Sequence, residues 1–573
     1  MKETAAEKCL IYGKNLICGR DLARDRQGFF IKLALAAMLL PTGCFLCSLA
    51  VMMFGGKTGG YALILPSALM TIYGIWRDRK FAAAAAAVCV ILAVWAAVCA
   101  AVYDCAYDSM NYHKQAVIAL REGWNFLYGT AEASNPLSGY LDIPLWLNNY
   151  PRGIWVTSAA VYDLTSHLET AKSVNILFVM TVFAASFDVM RRVYCAGRAK
   201  STVYALLFSI NPVFVSQLFT SYNDLAAGAL VITALLMCIE IIEGKINSYG
   251  YVLLFCVNAF SCNVKFSVPV MIGAELFACG IVCACKWRRE PKRLIKPVCI
   301  VLASFVFGAG VLGFNPYITH IMQGKNPAYP LMGDGKVDIV SNNLPAGFDE
   351  KNGAERLFLS VFGKTDNSLD IAPEIKLPFT FDENEWKFLS DPDVRTGGFG
   401  VWSGGSVIIS AALFVLFICR RGKRNMAVCY VSLSYALAVL VLMGTVFPES
   451  WWARYSSYLY YVPLFVLLCA DSARLCSVSV TARLLSFMCA FAVFVNSALT
   501  LCAVISMEAR VTADINYRLE QIKSSGGKIR VRVNDFPSHI KLFEEYGIDY
   551  EVSHTALDEP QIFYISTKYE YIK

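Results

Sequence analysis

Apolar runs of roughly 17–25 residues recur along this chain, each long enough to cross the ~30 Å hydrocarbon core of a bilayer as a helix. A backbone in hydrocarbon must satisfy its own hydrogen bonds, so such a chain folds as a helical bundle rather than an open sheet. The runs fall at 29–53, 60–76, 82–102, 170–190, 200–219, 224–243, 249–264, 267–285, 297–313, 402–419, 426–446, 456–473 and 484–505. They predict about thirteen crossings. Only 17% of the residues are charged and 57% are hydrophobic, where an ordinary globular chain carries roughly 25% charge. The fold class expected is an all-α polytopic membrane protein.

Loop charge sets the orientation. Cations cluster in the N-terminal arm 1–28 (Lys14, Arg20, Arg24, Arg26), at Arg77, Arg79 and Lys80, at Arg191, Arg192, Arg198 and Lys200, between Lys286 and Lys296, and at Arg420, Arg421, Lys423 and Arg424. Under this count all of them lie on one side, which the positive-inside rule makes the cytoplasm. The expectation is a multi-pass protein of the plasma (inner) membrane, N-terminus cytoplasmic and C-terminus extracytoplasmic. The net charge of +7 sits in these short clusters, which is no footprint for nucleic acid. The N-terminus lacks a signal-peptide apolar region, and its first apolar run reads as a retained span.

The long polar segments 103–169 and 314–401, the short loop 447–455 and the tail 507–573 then share the outer side. All five histidines (His113, His167, His320, His539, His554) lie in them. Segment 140–166 is rich in Trp and Tyr but broken by prolines, which suits interfacial or re-entrant helices. The loop 314–401 is longer than a connector needs to be and reads as a lid or binding element. In the tail, Lys528-Ile-Arg-Val-Arg-Val alternates as a strand, Ser538 to Tyr546 reads as a helix, and 548–553 and 561–566 as strands. The tail is expected to be a small α+β module beyond a transmembrane domain spanning 29–506.

Several polar residues stand at the outer ends of spans. Asp104 and Asp108 follow the run 82–102, with Tyr112, His113 and Lys114 close behind. Four apart, the two acids share one helical face if the helix persists, where a carboxylate with limited water can serve as a general base. Two interfacial acids at a helix end are the plainer alternative. Lys265 lies between two spans with no acid nearby in sequence, either as an interfacial anchor or as a cation for a lipid phosphate. Asp224 opens a span and can cap it. Arg454, beside Trp451, Trp452 and Tyr455, is either a belt residue or a bidentate phosphate ligand. His320 is read first as a structural hydrogen-bonding residue. No histidine pair has metal-ligand spacing, so no cofactor is expected from sequence and divalent-metal dependence stays open.

Taken together, Asp108-Ser-Met-Asn-Tyr-His113, Gly123-Trp-Asn125, Tyr150-Pro-Arg-Gly153, Asn211-Pro212, Tyr222-Asn-Asp224, Asn315-Pro-Tyr317, Asn326-Pro-Ala-Tyr-Pro330 and Arg454-Tyr455 make the chain similar to a known family. It resembles the GT-C superfamily of membrane glycosyltransferases, which includes protein mannosyltransferases and bacterial aminoarabinose transferases. The resemblance runs over residues 80–475. It implies a GT-C-like fold and a catalytic base at the start of the first outer loop, at Asp108 with Asp104 second. A clean adjacent acidic pair is absent, since Ser109 follows Asp108. The implied donor is a polyprenyl-phosphate sugar, and the implied acceptor a hydroxyl of a glycan, lipid or protein. His113, Lys114, Tyr112, Asp224, Lys265, His320, Arg454 and Tyr455 are the candidate substrate-binding residues. Two rivals stand beside this reading. One is a ligase or polymerase of lipid-linked glycans relying on His320 and Arg454. The other is a glycolipid flippase or transporter without chemistry, against which the absence of an internal repeat argues.

Overall fold

The computed structural model describes residues 28–131, 143–419, 429–472, 479–553 and 555–572. The arginines and lysine of 14–26 and 420–424, and His554, lie outside them. The described chain is mostly helical, with one four-stranded sheet near its C-terminus.

The first apolar run is helix α1, Phe29–Met53, and the next two form a hairpin, α2 (Tyr61–Arg77) and α3 (Arg79–Ala100). The hairpin closes on glycine: a Cβ at Gly74 would lie 2.4 Å from the Ala82 backbone nitrogen. Asp78 caps α3 through the amides of Lys80 and Phe81 and meets the buried Lys32 ammonium at 2.6 Å, so one carboxylate ties α1 to the hairpin.

Segment 140–166 contains two short helices, α4 (Ile143–Asn149) and α5 (Gly153–Thr165), the latter buried over most of its length. Helix α6 (Asn175–Arg192) packs beside α7 (Asp224–Ile242), which is buried on almost every side. Far from Asp224, Arg192 joins them through Asp188 at 2.5 Å and Glu240 at 2.6 Å. The expected span 200–219 is broken: a helix over Arg198–Ser209 stops, and Asn211 caps a new short turn from Pro212.

Helices α8 (Ser248–Ser261), α9 (Ser267–Lys286), α10 (Ile295–Phe307), α11 (Ser403–Cys419), α12 (Cys429–Val446) and α13 (Val462–Ser472) complete the bundle. Among the described residues, seven helices are long and apolar enough to cross a membrane: Phe29–Met53, Arg79–Ala100, Leu168–Arg192, Asp224–Ile242, Ser267–Lys286, Pro291–Leu312 and Val480–Ser524. Four more are apolar but shorter. Of the remaining expected spans, 60–76 is the 17-residue α2, and 200–219 is the broken pair.

Helix α14 (Val480–Ser524) is 45 residues long, about 68 Å at 1.5 Å per residue. That is twice a bilayer core, so the boundary expected at 507 falls inside a continuous helix. Its far end supplies Ile515, Leu519 and Ile522 to a second core with Ile529, Val531, Val533, Phe543 and Phe563. The sheet there has the order β2-β1-β4-β3. Strand β1 (Ile529–Val533) pairs parallel with β2 (Tyr550–Val552) and antiparallel with β4 (Thr567–Tyr571), which pairs antiparallel with β3 (Gln561–Tyr564). Helix α15, His539–Tyr546, links β1 to β2. The α+β tail is therefore present, with one strand more than the sequence reading expects.

Candidate functional site

A cavity of about 560 Å³ collects residues from every expected outer segment. The first loop contributes Asp108, Tyr112 and His113, the N-terminus of α7 contributes Asn223 and Asp224, and the α8–α9 turn contributes Lys265. Asp393 and Arg395 come from loop 314–401, Trp452, Arg454 and Tyr455 from the short loop, and Asn534 and Asp535 from the tail.

Its centre is Arg454. The guanidinium lies 3.2 Å from Asp108 Oδ2, touches Asp393 Oδ1, and has Asp224 Oδ2 at 3.7 Å. Three aromatic rings, Trp452, Tyr455 and Tyr222, hold its centre at 4.7, 5.0 and 5.3 Å, which adds cation–π attraction in a desolvated place. Asp224 binds the Lys265 ammonium, which also sits 4.0 Å over the Tyr455 ring. Three carboxylates thus meet two cations. Burial and the neighbouring Asp108 charge push the Asp393 carboxyl up to about 7, against the pull of Arg454.

Two polar groups here remain unsatisfied. Among the described residues, Arg454 Nε–H has no hydrogen-bond acceptor and neither polar atom of the Asn223 side chain has a partner, although Asn223 is only 2% exposed. A buried polar atom without a partner costs about 1–3 kcal/mol, so these atoms mark where a ligand's oxygens can bind. Six asparagines line the wall (Asn111, Asn223, Asn342, Asn343, Asn367 and Asn534), with Tyr107, Tyr112, Trp146, Tyr150, Trp452 and Tyr455 among them. Amides that both donate and accept suit hydroxyl groups, and aromatic faces suit an apolar ring surface.

His113 is in the cavity as expected, with a defined hydrogen bond: its Nδ1 accepts from the Trp155 indole at 2.7 Å. That bond leaves the proton on Nε2, and burial lowers the ring's pKa to about 3, so His113 presents a neutral N–H. Tyr112 lies beside it, with ring centroids 4.2 Å apart.

Three expected site residues lie elsewhere. Asp104 does not share a helical face with Asp108, because α3 ends at Ala100 and residues 101–106 are not helical before helical turns resume at Tyr107. Its Oδ2 accepts from the Ser221 amide at 2.8 Å and hydroxyl at 3.0 Å. Lys114 points into a separate buried cluster, donating to the Asp104 carbonyl at 2.9 Å and meeting Glu169 at 2.5 Å, with Lys172 on the same Glu169 at 2.5 Å. His320 borders another chamber, of about 420 Å³, beside Arg152 and Asn315, its Nε2 3.1 Å from Asn149 Oδ1. The expected cap at Asp224 is also absent: Asn223 holds the cap position without a capping bond of its own, the Leu225 amide donates to Gln217 Oε1 at 2.7 Å, and the Asp224 carboxylate is engaged by Lys265.

The Glu169 cluster ties Lys114 of the first loop to the turn Leu168–Val174 that leads into α6, so Glu169→Gln is expected to destabilise the protein by about 3–5 kcal/mol, the usual cost of stripping one partner from a buried ion pair. Thermal unfolding in detergent measures it, and a midpoint equal to wild type would refute the anchoring role.

Sequence reading misses Asp393, Arg395, Asn534 and Asp535, and names Tyr222 and Trp452 only as neighbours of Asp224 and Arg454. Asp393 stands in Ser390-Asp-Pro-Asp-Val-Arg395, a run no more polar than the rest of its loop, and only the fold brings it to Arg454. No protein-family model matches this chain, and no curated protein is significantly similar to it.

Proposed function

We propose that the protein is a membrane glycosyltransferase that moves a sugar from a polyprenyl-phosphate donor to an acceptor hydroxyl on the extracytoplasmic face, with inversion. The reading takes thirteen crossings with the N-terminus inside, as loop charge implies. The observation that carries it is Asp108 held against Arg454 in a wide cavity rich in amides and aromatics, where buried cations and unsatisfied donors await an anion.

In this mechanism Arg454 and Lys265 bind the donor phosphate, whose oxygens take the free Nε–H and the hydrogen bonds now directed at carboxylates. Asp108 accepts the acceptor's hydroxyl proton as its oxygen attacks the anomeric carbon. The bond from that carbon to phosphate oxygen breaks with its electron pair on the phosphate, and the two cations stabilise the charge that develops. Positioning of the two substrates contributes the remainder. The ligase alternative draws on His320 and Arg454 together, but the two line different chambers.

The test is transfer in membranes supplied with labelled polyprenyl-phosphate sugars and a set of hydroxyl acceptors. Transfer is expected for at least one pair, and none across a broad set sinks the reading. A pH dependence follows. Below about 7 the Asp393 carboxyl is protonated and leaves Arg454 to the phosphate. Above it the carboxylate competes with the phosphate, so donor KM is expected to rise with pH through that value and to flatten in Asp393→Asn. A wild-type profile already flat between pH 6 and 8 contradicts this role for Asp393.

A further inference from the structure

The tail is clamped to the segment that carries Asp108. The Asn111 amide donates to the Asp535 carbonyl at 2.9 Å, and Ser538 Oγ donates to the Met110 carbonyl at 3.0 Å. Tyr107 packs edge-on against Phe536, centroids 5.5 Å apart. These contacts bracket Asp108 in sequence. Further away, Glu545 accepts from the Leu168 amide at 2.9 Å and Lys541 meets Glu122 at 2.8 Å. The turn after β1 is thereby held in the cavity wall, where it places Asn534 and Asp535.

The cavity's charges are divided. Its cations, Lys265, Arg395 and Arg454, come from the membrane domain and its loops, while the tail contributes only an amide and a carboxylate. Asp535 forms no ion pair among the described residues, and its neighbour Tyr107 has its hydroxyl pKa raised by burial and by the charges of Asp535 and Asp108. A phosphate is drawn to the cations and repelled from this wall. The wall therefore suits the other reactant, and Asp108 stands between the two.

We infer that Asn534 and Asp535 are specificity-determining residues that contact the acceptor, and that this acceptor is polyhydroxylated and neutral or cationic where it meets them. The inference rests on the glycosyl-transfer reading. A carboxylate accepts from hydroxyl or ammonium groups and excludes acids; the Asn534 amide, whose Oδ1 accepts from Arg532 Nε at 2.9 Å and whose Nδ2 donates to the Ser566 carbonyl at 3.0 Å, keeps one lone pair and one N–H for a hydroxyl.

The experiment compares transfer from one labelled donor to a neutral oligosaccharide and to its uronic-acid counterpart, using membranes with matched amounts of wild type, Asn534→Ala, Asp535→Asn and Asp535→Glu. Wild type is expected to favour the neutral acceptor by about tenfold in kcat/KM, the scale of one close like-charge contact in a water-filled cavity. Asp535→Asn should shrink that preference at least threefold, Asp535→Glu should restore it, and Asn534→Ala should raise acceptor KM while donor KM holds. Unchanged acceptor preference and KM in Asp535→Asn and Asn534→Ala, or a wild-type preference for the acidic acceptor, overturns the inference and leaves the glycosyl-transfer reading standing. A uniform fall in every parameter also overturns it, because a tail that only supports the fold behaves that way. Absence of transfer by wild type overturns the functional reading and this one with it.

Discussion

Asp108→Asn is expected to lower kcat for sugar transfer by about 10²–10⁴-fold, the contribution of a positioned general base. Asparagine keeps the size of the side chain and an oxygen that can accept from Arg454, which now lies 3.2 Å from Asp108 Oδ2. The fold should therefore survive while the proton acceptor is lost. Donor binding should not weaken, because the substitution removes one of three carboxylates that compete with a phosphate for the guanidinium. The combination of collapsed kcat with unchanged or lower donor KM distinguishes a lost base from a lost binding group. Asp104→Asn is the informative comparison. Asp104 bonds to Ser221 and lies outside the cavity wall, so its loss should reach activity only through stability. Equal transfer by wild type and Asp108→Asn, at matched expression, would remove Asp108 from the mechanism.

Arg454→Met is expected to damage both stability and donor binding. Removing the guanidinium leaves Asp108, Asp224 and Asp393 facing one another, with Lys265 bound to Asp224 and Arg395 as the cavity's remaining cations. Breaking a buried ion pair in this one-sided way costs about 3–5 kcal/mol, so a clear drop in thermal midpoint should accompany loss of transfer. Arg454→Lys separates the two roles. It keeps the charge and recovers much of the stability, but a point-like ammonium cannot offer the planar fork that reaches several oxygens at once. Donor KM should therefore stay raised in the lysine variant. A methionine variant with wild-type midpoint and wild-type transfer contradicts both roles.

The sequence is most legible where one physical demand acts alone. A helix crossing hydrocarbon needs an unbroken apolar run, and α1 begins and ends where the run 29–53 does. The strand period shows in Ile529, Val531 and Val533, all fully buried, with Arg530 and Arg532 between them. Local signals mislead where an ordered loop intervenes. The four-residue spacing of Asp104 and Asp108 assumes a helix that stops at Ala100, and their carboxylates turn to different partners. Asp224 has the sequence position of a capping residue, yet its carboxylate neutralises Lys265, 41 residues away. A lysine that looks uncompensated along the chain is compensated in space.

By itself, then, the sequence determines the class of molecule, the places where helices run, the α+β character of the tail and the candidacy of Asp108, Asp224, Lys265 and Arg454. Each of these follows from hydropathy, period or the cost of a charge near a membrane, which act within a few residues. The tertiary structure alone decides that these four groups meet, that Asp393 joins them, and that Asp104, Lys114 and His320 do not. It also decides that the tail supplies part of the same wall: Asn111 reaches Asp535 across a separation of 424 residues. Charge pairing and cavity shape depend on distances through space, and no pattern along the chain encodes which distant loops will close on one another.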